Sequence, residues 1–100
     1  MIRGTTPINA FTLPFEADGN VKDLRITYKQ DDNVILEKSL ADCTFDGADI
    51  ILNLSQEETL LFNDEKIIKI QVKIKCADEN ILVSDPIYRF CNEIFNEEIL

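Results

Sequence analysis

The chain has no histidine and no tryptophan, and its 100 residues include only three Cys, three Gly and three Pro. Each shortage closes off a class of chemistry. Without His the commonest general base is missing, and Ser–His or Cys–His nucleophile pairs are excluded. Cys43, Cys76 and Cys91 are widely spaced and form no CxxC pair, so a zinc site lacks its usual ligands. They read as reduced thiols acting as small hydrophobes. Gly4, Gly19 and Gly47 are isolated, which leaves no Gly-rich phosphate loop. No apolar run approaches the ~20 residues that span a bilayer. Residues 1–7 lack the apolar stretch of a secretory leader, so synthesis in a cytoplasm is expected. Cations are scarce too, 10 Lys and Arg against 19 Asp and Glu, for a net charge of −9. That sign argues against nucleic acid and against an anionic membrane face as partners. The expectation is a protein that is not an enzyme and that uses no cofactor, metal or small-molecule substrate.

What is present is alternation. Hydrophobic residues make up 45% of the chain, enough for one packed core and too many for a disordered polymer. Turn signals recur every 8–15 residues, the rhythm of a sandwich or barrel. Residues 1–7 read as an extended N-terminal arm, and residues 8–100 as a single domain. A first strand at 9–15 places Phe11, Leu13 and Phe15 at period two, and Pro14 confines it to an edge or a strand end. Residues 23–30 put Leu24, Ile26 and Tyr28 on one face and Arg25, Thr27 and Lys29 on the other. After the turn Asp31-Asp32-Asn33, residues 34–39 return as the second arm of a hairpin. Asp46-Gly47 predicts a type I′ turn between 43–45 and 48–54.

Ser55 and Glu58 form a capping box for one helical turn that bridges two strands. Residues 66–76 are the strongest strand, alternating Ile68, Ile70, Val72, Ile74 and Cys76 with Lys69, Gln71, Lys73 and Lys75. The final strand or strand pair spans 81–84 and 87–91, interrupted at Pro86. Residues 92–100 are acidic, with an apolar spacing that fits either a short helix or a strand. The whole predicts an all-β, immunoglobulin-like sandwich of about seven short strands with one short helical crossover, or alternatively a small β-barrel.

Few residues stand out as contact sites. Lys69, Lys73 and Lys75 form the one concentrated cationic stripe, suited either to an acidic partner or to guarding an exposed strand face. Asp31, Asp32 and Asn33 are turn formers, since the Gly and distal Glu of a calcium loop are missing. Tyr28, Tyr88 and Phe90 read as core at strand periodicity, and exposed they would offer a platform for sugar. In the arm, Ile2, Arg3, Thr5 and Thr6 are candidates for capture by the sheet edge of a neighbour.

The opening Met1-Ile2-Arg3-Gly4-Thr5-Thr6-Pro7 and the following Phe11-Thr12-Leu13-Pro14-Phe15 resemble the start of a group of small proteins from tailed phages and prophages of Gram-positive gut bacteria. The likeness continues through Ile26-Thr27-Tyr28, Leu36-Glu37-Lys38, Leu54-Ser55-Gln56-Glu57-Glu58-Thr59-Leu60, Ile70-Gln71-Val72 and Val83-Ser84-Asp85. The resemblance implies a virion structural component, as a capsid decoration or head accessory protein or a tail or baseplate part. Its implied partners are other virion proteins and copies of itself in a symmetric assembly. The alternatives are a module that binds carbohydrate or the host surface, and a soluble host-directed regulator.

Overall fold

The computed structural model describes residues 1–93 and residue 99. Two antiparallel sheets pack face to face. One joins β1 (Ile8–Thr12), β5 (Asp49–Asn53) and β4 (Cys43–Asp46) in the order β1-β5-β4. The other runs β3 (Asn33–Ser39), β2 (Val21–Gln30), β6 (Lys66–Cys76), with β7 (Ile81–Val83) and β8 (Ile87–Cys91) both paired to β6. A helical turn, α1 (Gln56–Thr59), carries the chain between the sheets. This connectivity follows the immunoglobulin-like pattern, with the hairpin β4–β5 on one layer and β2, β3, β6 and the last strands on the other. The edge strands β1 and β7 do not pair, so the layers stay open as a sandwich and do not close into a barrel.

The alternation read from the sequence is what places the core. Leu24, Ile26 and Tyr28 from β2 and Ile68, Ile70, Val72 and Ile74 from β6 are buried. They face Ile50 and Leu52 of β5, and Leu54, Phe62 and Cys91 complete the cluster. The Tyr28 and Phe62 rings meet edge-on with centroids 5.8 Å apart, and Asn9 donates to the Tyr28 hydroxyl at 3.1 Å. Burial outweighs that hydrogen bond and holds the Tyr28 phenol well above its ordinary pKa. Gln30 continues the inward series and is also buried, yet satisfied. Its amide accepts from the Asn63 N–H at 2.7 Å and donates to the Asn63 carbonyl at 2.8 Å, standing in for a strand partner.

Several local expectations are corrected. Of the two alternatives for the last run the strand pair holds, divided at Pro86, and it brings the strands to eight among the described residues where about seven were expected. At Asp46-Gly47 the central turn residues are Gly47 and Ala48, because Asp46 pairs with Asp49. Only Gly47 has positive φ (+60°), the pattern of a type II′ turn and not of type I′. A 3-10 turn at Leu40–Asp42 was not expected; Asp42 caps it by accepting from the Ser39 N–H at 2.9 Å. The β2–β3 register shifts after Tyr28, leaving Ile35 as an extra residue.

The segment 1–7, expected as an extended arm, is tied to its own domain. The Met1 ammonium donates to the Phe90 carbonyl at 2.8 Å, and Ile2 forms a parallel bridge with Asn92. Gln56 donates to the Gly4 carbonyl at 3.2 Å, Thr59 to Thr5 at 2.9 Å, and the Leu54 N–H to Pro7 at 3.1 Å. The helix or strand expected within 92–100 lies largely outside the described residues, where 94–98 and 100 fall.

One inward charge is half-buried with a partner. Lys38 sits opposite Ile26 on the inner side of the edge strand β3, and its ammonium pairs with Glu58. Glu58 also caps α1, accepting from the Ser55 N–H at 2.9 Å. Burial opposes ionisation of Glu58, but the hydrogen bonds and charge of Lys38 and the contacts from Ser55 prevail, so its carboxyl titrates below the ordinary glutamate value. A lowered folded pKa contributes stability that is present above that ordinary value and is lost as pH falls through the folded one. Glu58→Gln is therefore expected to cost roughly 1–3 kcal/mol at neutral pH and to flatten the acid limb of a pH–stability profile measured by urea unfolding.

The hairpin turn Asp31-Asp32 places both residues at positive φ, +50° and +65°. Asp31 is held there by Lys66, whereas Asp32 is exposed. Asp32→Gly is expected to raise the unfolding free energy by about 0.5–1 kcal/mol, by removing the left-handed strain of a side chain.

Candidate functional site: the outer face of the five-stranded sheet

The same alternation that fills the core builds the opposite face of the large sheet. Register places Arg25 opposite Lys73 and Lys29 opposite Lys69 across β2 and β6, with Lys75 further along β6. Asp23 and Glu37 are the acids that share this face. Five of the chain's 10 Lys and Arg thus stand with two of the 17 acids among the described residues, a local surplus of positive charge on a protein of net charge −9. Arg25 is shared between Asp23 at 3.1 Å and Glu37 at 3.7 Å, and Lys75 reaches Glu79 at 3.0 Å. Among the described residues, Lys29, Lys69 and Lys73 have no carboxylate within ion-pair distance. Like charges directly opposite one another in an antiparallel ladder cost stability, and this sheet has two such pairs, separated by Thr27 opposite Gln71.

Apolar side chains frame the cations. Tyr88 stands opposite Lys69, and Phe90 opposite Ile67; Val83 and Ile81 stand opposite Lys73 and Lys75. With Val34 on β3, six of the eleven large apolar side chains exposed among the described residues lie on this face. Tyr88 is 56% exposed and Phe90 43%. The expectation of core positions therefore fails for both, because β8 turns Ile87 and Cys91 inward and Tyr88 and Phe90 outward. It holds for Tyr28, which is fully buried and is thereby removed from any sugar platform.

The candidate residues from the sequence divide into two places. Lys69 and Lys73 are exposed on the face and Lys75 is half-buried at its edge. Ile2 and Thr6 are exposed, but Arg3 donates to the Leu60 carbonyl at 3.1 Å and Thr5 to the Ile2 carbonyl at 2.6 Å. The arm's hydrogen bonds run to α1, to the residues beside it and to the end of β8, and none reaches the lysines. Arg25, Lys29, Val34, Ile67, Ile81 and Val83 were missed as site residues. Period two in 23–30 and 66–76 already assigned Arg25, Lys29 and Ile67 to outward positions; which strands lie side by side is not in the pattern.

An apolar groove of about 360 Å³ opens between β1 and β7, lined by Phe11, Leu13, Val72, Ile74, Leu82 and Ile87 among others. Thr12 and Ser84 supply its only polar side chains, and no titratable group lines it. Among the described residues no group of three or more Cys, Asp or Glu is placed to hold a metal, and no helix is long and apolar enough to cross a membrane. The three cysteines are unpaired. Burial, with Asp42 alongside, pushes the Cys43 thiol up, and burial does the same to Cys91 against the pull of Arg3 and the N-terminus. Both are held as weakly nucleophilic thiols. Comparison with protein-family models, with curated proteins and with solved structures finds no match.

Cys91 is fully buried, so it is expected to stay unmodified by Ellman's reagent in the native protein at neutral pH, while all three thiols react in concentrated guanidinium. Rapid native labelling of Cys91, located by peptide mapping, contradicts this packing.

Proposed function

We propose that this chain is a non-enzymatic virion structural protein that works through protein–protein contacts, with the outer face of the five-stranded sheet as its contact surface. The observation that carries the reading is the concentration on one face of exposed Tyr88 and Phe90, four exposed aliphatic side chains and a cationic centre. Aromatic anchors beside Arg and Lys are what protein interfaces are built from. A face four strands wide, ~4.8 Å apart, and some ten residues long offers roughly 600 Å² to a partner, at the modest end of specific interfaces. Such contacts suffice when many copies act together. The likeness of residues 1–15 and of the segments from Ile26 to Asp85 to small proteins of tailed phages supports placement in a particle, at the head surface or in the tail or baseplate. A carbohydrate-binding reading retains Tyr88 and Phe90 but loses the buried Tyr28.

The test is quantitative mass spectrometry of phage particles from a strain that encodes the chain. Multiple copies per particle are expected. The double variant Tyr88→Ala/Phe90→Ala should keep its melting temperature within a few degrees, since both side chains face solvent, and lose incorporation by at least about tenfold. Absence of the chain from particles, or undiminished incorporation of that variant, refutes the reading.

A further inference from the structure

The two outer faces of the sandwich carry opposite charge, and we infer that copies of this chain associate head to tail, the cationic face of the large sheet on one copy seating on the outer face of the small sheet of the next. The inference rests on the reading of the large-sheet face as a contact surface and names its partner.

The acceptor face is built by the same period-two logic. Ile8, Ala10 and Thr12 of β1, Asp49, Ile51 and Asn53 of β5, and Thr44 and Asp46 of β4 point away from the core. β1, β4 and β5 contain no Lys or Arg. Asp46 is exposed and Asp49 half-buried, the latter accepting from the Thr12 hydroxyl at 2.7 Å. Ile8 is 71% exposed, the most exposed of the large apolar side chains among the described residues, and Ile51 lies on the same face. The donor face offers the converse: Lys29, Lys69 and Lys73 without carboxylates of their own, and Tyr88, Val83 and Ile81 around them. Carboxylates brought over the Lys29–Lys69 pair and over Lys73 relieve a repulsion that each copy carries alone.

Charge also decides the symmetry. Two donor faces meeting across a two-fold axis would set lysine against lysine, so an isologous pair on this surface is disfavoured. Off the donor face the described residues hold 15 further acids and only five cations. A second copy therefore meets the donor face favourably through a surface other than its own donor face. Because the two faces lie on opposite sides of the sandwich, the contact is heterologous and repeats from copy to copy. The smaller sheet limits one contact to a few hundred Å² per copy, below the ~800 Å² of a stable pair, so a single contact is weak and the assembly holds by repetition.

Sedimentation of the full-length chain, from about 10 μM to about 1 mM at low salt, tests this with charge-reversed partners. The wild type should gain weight-average mass with concentration and lose at least about tenfold in association between roughly 20 mM and 500 mM salt. Lys69→Glu/Lys73→Glu and Asp46→Lys/Asp49→Lys should each stay monomeric, and their equimolar mixture should associate again, since each reversed face meets an oppositely reversed one. Unchanged circular dichroism and melting show that both variants fold; if Asp49→Lys unfolds the chain, Asp46→Lys alone serves in its place. A wild type that is monomeric throughout overturns the inference, as does a mixture that fails to associate or an association insensitive to Lys69→Glu/Lys73→Glu. If self-association fails while the chain is still incorporated into particles, the acceptor is another acidic protein and the virion reading stands. If self-association holds but particles lack the chain, the virion reading fails alone.

Discussion

Everything in this molecule depends on how β2 lies against β6. Their register, with Ile26 across from Val72 and Tyr28 across from Ile70, places the buried residues of two long strands on one side of the sheet. A slip by one position would turn Lys69 and Lys73 inward and carry Ile70 and Val72 into water. Each buried Ile or Val contributes about 1.5–3 kcal/mol through removal of apolar surface from water, whereas an unpaired buried ammonium costs several kcal/mol. The register is therefore held by the whole series of side chains and not by any one hydrogen bond.

That arrangement has a cost on the outer face. Packing fixes which residues of β2 and β6 face inward, and those facing outward are then set beside one another whatever their charge. Here the outcome is Arg25 against Lys73 and Lys29 against Lys69. A free-standing domain selected only for stability has no need of two like-charge pairs framed by exposed Tyr88, Phe90, Val83 and Ile81. At the edge strand β3 the chemistry is handled differently, since inward Lys38 is matched by Glu58 from α1. The half-buried Lys38 is thus matched, while Lys29, Lys69 and Lys73 on the outer face have no carboxylate partner among the described residues.

Much of the fold was legible in the sequence. Strict alternation in 66–76 defined β6 to the residue, the same signal in 23–30 defined the inner face of β2, Pro14 marked the edge position of β1, and Ser55 with Glu58 marked α1. These are local properties, set by period and capping within a few residues. The misses came where a local signal was overruled at long range or had two local solutions. Asp-Gly fits type I′, yet the pairing of Asp46 with Asp49 moved the turn by one residue. Residues 1–7 have no pattern of their own, and their order comes from Gln56, Thr59, Leu54 and Asn92, all more than 45 positions away.

The sequence by itself determined that the chain would be β, which side chains would alternate inward, and that Lys69, Lys73 and Lys75 would share one side of a strand, because a strand's two faces follow from its own residues. Only the tertiary structure decided that Arg25 and Lys29 would join those lysines, that Tyr88, Phe90, Ile81 and Val83 would border them, and that the acids of β4 and β5 would stand on the far side of the sandwich. Neighbourhood across strands depends on strand order and register. Those are settled by the packing of the inner faces against each other, an interaction between residues that are distant in the chain.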